Sequence, residues 1–115
     1  MIVTYERPSN RQGALIAHLS GSFKALAADK LWDAVSQQID EETRFVILDF
    51  TGVSLVASAG LGMLVRLYTR LQGLGGGLAV YGCSDKIRGI IHIVMLTDIL
   101  KVCANETEAW EALQS

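Results

Sequence analysis

The run Phe45-Val46-Ile47-Leu48-Asp49-Phe50-Thr51-Gly52-Val53-Ser54-Leu55-Val56-Ala57-Ser58-Ala59-Gly60-Leu61-Gly62 decides how the chain is read. Its first four residues form a continuous apolar stretch between Arg44 and Asp49. They are few and include β-formers, the mark of a strand buried on both faces. The strand is expected to end at Asp49 with a loop after it, and Ser58 falls where the spacing turns helical. From Ser58 to Leu74, residues Leu61, Leu64, Val65, Tyr68, Leu71 and Leu74 share one stripe, with Arg66 and Arg70 outside it. Gly60 and Gly62 fall in the opening turn, where each glycine costs about 1 kcal/mol relative to alanine. That cost makes sense where bare backbone must approach another surface.

Outward from this run, Ile2 to Arg7 reads as a strand, Pro8-Ser9-Asn10 with Gly13 as a turn, and Ala14 to Leu19 as the second strand of a hairpin ended by Gly21. Ala25 to Ile39 changes period: Ala28, Leu31, Trp32, Val35 and Ile39 lie on one helical stripe, and Asp40-Glu41-Glu42 makes a solvated connection. Gly73 and Gly75-Gly76-Gly77 stop the helix that began at Ser58, and Leu78 to Tyr81 is another buried strand. Ser84 is placed to cap a helix from Asp85 to Met95, with Ile87, Ile90, Ile91 and Val94 inward. Ile99 to Val102 reads as a short strand, and Asn105-Glu106-Thr107-Glu108 as a capping box for a last helix through Leu113. The order predicts a single small α/β domain over residues 1–115. Its sheet is mixed and four- to five-stranded, with an N-terminal antiparallel hairpin and about four α-helices mainly on one face.

Half of the 115 residues are apolar and 19% are charged, with a net charge of −2 from 10 basic and 12 acidic residues. A chain of this size buries a core without disulfides or metal, and its composition excludes wholesale disorder. Charges of both signs are spread along it, against the basic face of a nucleic-acid binder. Lys, Arg, Asp or His interrupts every apolar run before membrane-span length. The start, Met1-Ile2-Val3-Thr4-Tyr5-Glu6, lacks the regions of a signal peptide. Two cysteines without CxxC spacing fit a reducing compartment. The expectation is a cytoplasmic protein with no nucleic-acid partner and no direct membrane insertion.

Few residues are arranged for chemistry. Gly73-Leu74-Gly75-Gly76-Gly77 lacks the Lys-Ser/Thr of a phosphate-binding loop and precedes a strand. Cys83 and Cys103 read as buried free thiols. His18 and His92 have no metal-ligand spacing with Cys, Asp or Glu. No paired carboxylates or activated nucleophile stand out, so neither an enzyme nor a cofactor is expected. Asp49 reads as an acid that ends its strand and holds loop N–H groups, or as a partner contact, and Thr51 and Ser54 are neighbouring hydroxyls. Ile90-Ile91-His92-Ile93-Val94-Met95-Leu96 is more apolar than one buried helix face needs. Either neighbours cover it on both sides or it is an exposed patch for a protein partner, to which Met63 and Met95 would lend adaptability. Ser58 has two readings. As a plain helix cap it stabilises by about 1 kcal/mol. As a phosphate acceptor it would place roughly two negative charges at the positive end of a helix dipole.

Phe50 to Gly62 resembles the signature loop of the STAS family, the sulfate-transporter and anti-sigma-factor-antagonist domain. The family pattern is a buried strand ending in an acid, a short loop, then Asp-Ser-Ser-Gly-Leu-Gly entering a helix. Here that element reads Ala57-Ser58-Ala59-Gly60-Leu61-Gly62. The order of elements is similar over nearly the whole chain, as are Leu19-Ser20-Gly21 and the Gly-rich helix stop. The resemblance implies a non-enzymatic switch that binds an anti-sigma factor with ATP-dependent serine kinase activity. The kinase phosphorylates the signature serine, the complex separates, and a metal-dependent serine phosphatase reverses the change. By position Ser58 is the acceptor, and Lys24, Asp49, Thr51, Ser54, Ala57, Ala59, Gly60, Leu61, Gly62 and Met63 are the partner-facing set. The resemblance leaves room for a weak homodimer. It also carries an alternative, a non-phosphorylated scaffold subunit of an ABC-type lipid transport complex. The chain departs from the family in having Ala57 for the aspartate, Ala59 for the second serine, and Gly21-Ser22-Phe23-Lys24 where Gly-Glu-Leu-Asp is frequent. With Ala57 in place of an acid, a phosphate on Ser58 meets less like-charge repulsion.

Overall fold

Along the first half of the central strand, Val46 and Leu48 point to one side and Ile47 to the other, and all three are fully buried. A strand of this kind needs cover on both faces, and the rest of the chain supplies it. The computed structural model describes residues 1–114 (for Asp98, the backbone only). In chain order the elements are β1 (Ile2–Glu6), β2 (Ala14–Phe23), α1 (Ala25–Gln38), β3 (Phe45–Val56), α2 (Ser58–Gly73), β4 (Gly77–Tyr81), α3 (Asp85–Ile93), the single turn α4 (Thr97–Leu100), β5 (Val102–Cys103) and α5 (Glu106–Gln114). The strands form one sheet in the order β1-β2-β3-β4-β5, with β1 antiparallel to β2 and the other pairs parallel.

One face carries the main core. There Leu15, Ala17, Leu19, Val46, Leu48, Phe50, Leu78 and Val80 of the sheet meet Leu31 and Val35 of α1, Leu64, Leu67 and Leu71 of α2, Ile87 and Ile91 of α3, and Leu100 of α4. The other face is covered by α5 alone, through Ala109 with Trp110 and Leu113 against Ile16, Ile47, Ala79 and Cys103. Cys83 and Cys103 are both buried free thiols, and they belong to these two different clusters.

The sequence reading needs four corrections. First, β2 does not end at Gly21 but runs through it to Phe23. Second, β3 continues from Asp49 to Val56, where a loop was expected. The register explains why: His18 faces Asp49 while Ser20 faces Gly52, and Gly21 faces Val53 while Ser22 faces Leu55. Each step inserts one extra residue into β3, a bulge that breaks the period-two alternation by which a strand is recognised. Phe50, Val53 and Val56 are therefore all buried at a spacing of three. Third, Thr97–Leu100 is a helical turn, so the short strand lies later, at Val102–Cys103. Fourth, the buried stripe of α2 is Gly60, Met63, Leu64, Leu67 and Leu71, while Leu74 is exposed.

Both expected caps form. The Ser84 hydroxyl accepts from the Ile87 N–H at 3.2 Å, and Asn105 Oδ1 accepts from the Glu108 N–H at 2.9 Å. At the end of α2 the chain turns through Gly75 (φ 78°), and Gly76 lies flat on the backbone of Arg44. A Cβ at Gly76 would stand 1.5 Å from the Arg44 carbonyl oxygen, so only glycine lets β4 start beside β3. Gly76→Ala is expected to lower stability by about 2–3 kcal/mol, as overpacking of a rigid backbone contact does. Urea unfolding should show the lower midpoint with an unchanged slope. Ser84→Ala, which removes only a cap, should cost about 1 kcal/mol in the same assay.

Candidate functional site

The two bulges carry the end of β3 alongside the end of β2, and this pairing places Ser58. The Ala57 N–H donates to the Phe23 carbonyl at 3.0 Å. Ala57 is extended (φ −94°, ψ 170°), and its carbonyl accepts the Gly60 and Leu61 N–H groups at 2.9 and 3.2 Å, starting α2. Ser58 is therefore the first residue of the helix and is exposed. The opening of α2 has no side-chain cap and no acidic residue in its first turn. α1 also begins without a side-chain cap or an acid in its first turn, at the exposed Lys24 that follows Phe23. The contrast with α3 and α5 is clear, since each has a capping side chain and acids in its first turn. An uncapped N-terminus keeps its free N–H groups and positive dipole end for whatever arrives from outside.

The two glycines of the opening turn differ. Gly60 is buried against Phe23, whose ring stands edge-on to Phe50 with centroids 6.1 Å apart. A Cβ on Gly60 would lie 2.9 Å from the Phe23 carbonyl oxygen and 3.0 Å from its ring. Gly62 is exposed, and a Cβ there would meet nothing within 4 Å. The fold thus accounts for Gly60 and leaves Gly62 without an internal reason.

The expected site residues divide. Ser58, Ala59 and Gly62 are exposed together at the start of α2, with Ala57 and Leu61 half-buried beside them and Lys24 next to Phe23. Ser54 is exposed on β3. Gly60 and Met63 are buried, Met63 to 3%, so neither offers a side chain to a partner: both belong to the core stripe of α2. Asp49 and Thr51 are held in a polar cluster on the α5 side of the sheet.

That cluster joins three strands. His18 Nδ1 lies 2.7 Å from Asp49 Oδ2, and His18 Nε2 lies 3.1 Å from Glu6 Oε1. Asp49 Oδ1 accepts from the Thr51 N–H at 2.9 Å and from its hydroxyl at 2.6 Å, which satisfies the backbone at the first bulge. Asp49 holds a backbone N–H, as one of its two readings expected, but it does not end its strand: β3 continues to Val56 and the N–H belongs to Thr51 within it. Burial pushes its carboxyl up, but the hydrogen bonds from His18 and Thr51 outweigh burial and leave it below the usual carboxylate range. The role of His18 was missed in the sequence because its partners lie 12 residues before it and 31 after it. The register supplies the link: His18 is opposite Thr4 on β1 and Asp49 on β3.

Of the apolar run Ile90 to Leu96, Ile91 is buried and Ile90 and Leu96 are half-buried, whereas Ile93, Val94 and Met95 are 78%, 44% and 84% exposed. Val94, expected inward, faces out because α3 ends at Ile93 and not at Met95. Met95 takes a left-handed conformation (φ 62°), which lets the Leu96 N–H reach the Ile91 carbonyl at 3.1 Å. A non-glycine residue there costs about 1–2 kcal/mol.

These features fit one family. The model of the STAS domain matches residues 5–109, and the chain belongs to that family. It is 30% identical over 97 residues to BtrV of Bordetella bronchiseptica, covering 84% of this chain and 83% of that protein. It is 29% identical over 84 residues to the anti-sigma-B factor antagonist of Listeria monocytogenes, covering 73% and 74% of the two chains. In fold it is similar to the Bacillus cell fate determinant SpoIIAA in its phosphorylated form, with a TM-score of 0.73, 18% identity, and coverage of 96% and 97%. No helix among the described residues is long and apolar enough to cross a membrane.

The Gly60 contact is testable in the isolated domain. Gly60→Ala should destabilise it by about 1–3 kcal/mol through the clash with Phe23. Backbone amide shifts should change at both Phe23 and Ala57, since the two are hydrogen-bonded.

Proposed function

We propose that this STAS domain is an anti-sigma factor antagonist that binds its partner with the Ser58 end of α2 and releases it when Ser58 is phosphorylated. The observation that carries the reading is the opening of α2. An exposed serine stands first in a helix with no cap and no acid, one turn before a glycine that nothing inside the domain requires. The Listeria relative is named an anti-sigma-B factor antagonist, and SpoIIAA has been solved phosphorylated, which supports the same reading.

The chemistry follows from the position. A kinase bound at this end would move the γ-phosphoryl group of its ATP to Ser58 Oγ. The bond to ADP breaks, the Oγ–P bond forms, and the hydroxyl proton leaves. The free N–H groups and dipole of α2 favour the new charge, so the domain itself tolerates it. The interface does not: carrying a partner from 99% bound to 99% free takes about 5.5 kcal/mol. Desolvating a phosphate dianion against a packed surface costs several kcal/mol per ion. A metal-dependent serine phosphatase would reset the switch by hydrolysis.

The test uses the anti-sigma factor kinase of the same genome. With ATP, the wild-type chain should gain one phosphate by intact mass, and Ser58→Ala should gain none. A gain that persists in Ser58→Ala overturns the assignment. Ser58→Asp should weaken partner binding by roughly tenfold or more, about 1.4 kcal/mol, in calorimetry. Ser54→Asp, equally exposed but outside the helix opening, should change it little. Gly62→Ala should separate stability from binding. It should stabilise the free domain by about 0.5–1 kcal/mol while weakening the complex. Constitutive binding to a transporter ATPase, unaffected by Ser58→Glu, would instead favour a scaffold role.

A further inference from the structure

The His18 cluster lies on the face of the sheet away from α2 and is not used by the Ser58 switch. Its geometry constrains its protonation. Both ring nitrogens of His18 face carboxylate oxygens, Asp49 Oδ2 at 2.7 Å and Glu6 Oε1 at 3.1 Å. A neutral imidazole has one N–H, so one of these carboxylates would face a lone pair. Only the imidazolium donates to both. The two carboxylates belong to the strands on either side of β2, and Asp49 also closes the bulge at Thr51.

We infer that His18 is a proton-dependent clasp: as the imidazolium it ties the edge strand β1 to the bulged segment of β3, and its deprotonation gives up one of the two bonds and so breaks the tie between them. Glu6 comes from β1, Asp49 from β3, the Tyr81 phenol from β4 and Glu106 from α5. The surroundings are therefore negative. Arg11 lines the same trough as Glu6 and Glu106 and is stacked over the Trp110 ring at 4.6 Å. Burial first, and then the charges of Asp49, Glu106 and Glu6, push the Tyr81 phenol up to about 12. The same surroundings hold the proton on His18. Its hydrogen bond to Asp49 raises the ring above its ordinary value, against an opposing effect of burial and with further help from Glu6.

The pH window follows from that direction. A histidine whose folded value is raised contributes its full stabilisation below its unfolded value. The contribution fades as pH rises through the folded one. The clasp is therefore fully closed below 6.5, the ordinary value, and opens as pH rises through the raised folded one.

Nuclear magnetic resonance on the whole chain tests this without a partner. In the wild type below pH 6 both His18 ring nitrogens should be protonated and donating, and the ring should titrate above 6.5, the ordinary value. Glu6→Gln, an exposed change that leaves the fold intact, should lower the ring's proton affinity by roughly 2- to 5-fold. Asp49→Asn should lower it further. Amide exchange at Glu6 or at Thr51, whichever side loses its bond, corrected for intrinsic base catalysis, should rise as His18 loses its proton, and His18→Gln should abolish that pH dependence. A ring with one proton below pH 6, titration at or below 6.5, or corrected exchange that ignores pH in the wild type would overturn the clasp.

Discussion

The parallel pairing of β2 with β3 is the constraint on which the Ser58 end of the molecule depends. Both strands run past the point where their apolar alternation fails, and the last hydrogen bond between them, from the Ala57 N–H to the Phe23 carbonyl, sets where α2 begins. Phe23 does double duty there. Its backbone receives that bond, and its ring fills the space under Gly60 and against Phe50. Because α1 starts immediately after Phe23, the same junction fixes the openings of both helices. A shift of one register step would turn Val53 and Val56 out of the core and move Ser58 off the helix opening.

The outline of the fold was readable because the apolar periods are clean over most of the chain. Leu31 and Val35, Leu64 and Leu71, and Ile87 and Ile91 mark the inner faces of three helices. Val46 to Leu48 and Leu78 to Val80 mark doubly covered strands. Residue types marked the two glycines after Ser58 as unusual at a helix opening, but left Ser58 as readily a plain cap; the resemblance to the family singled it out. What escaped was set by pairing. Two inserted residues in β3 disguised Phe50 to Val56 as a loop, and no local pattern announces a bulge. Thr97–Leu100 looked like part of a strand because its apolar residues are too few to show a helical period. The His18 cluster was out of reach for the same reason: its three members meet only once the register of three strands is fixed. Gly60 and Gly62 look alike in the sequence, and only packing separates them.

The domain also distributes its capping unevenly. The helices that begin at Asp85 and Glu106 are closed by Ser84 and Asn105 and carry acids in their first turns. The helices that begin at Ala25 and Ser58 have neither. Capping is inexpensive in sequence terms, as a single Ser, Asp or Asn suffices. Its absence at two adjoining openings, along with a glycine free of internal contacts, leaves stabilisation unused on the surface proposed to meet a partner. The polar cluster on the opposite face is different, because its hydrogen bonds are spent within the domain. The two regions therefore differ in chemistry: the helix openings keep their polar groups free, and the polar cluster spends its own on holding the sheet together.

Coverage of the sheet by α5 alone has a consequence for biosynthesis. The helices that build the main core follow their strands closely, so that side can assemble as the chain emerges. Ile16, Ile47 and Ala79 must wait for residues 106–114. During that interval the nascent chain presents an uncovered strip of β-branched and small side chains, flanked by strand edges of the kind that aggregate. Lys101 then helps to secure the late arrival, its ammonium donating to the Ala112 carbonyl at 3.0 Å. The vulnerable period of this molecule therefore falls before its final helix docks, and chaperones that recognise exposed sheet would meet it on the face opposite the proposed switch.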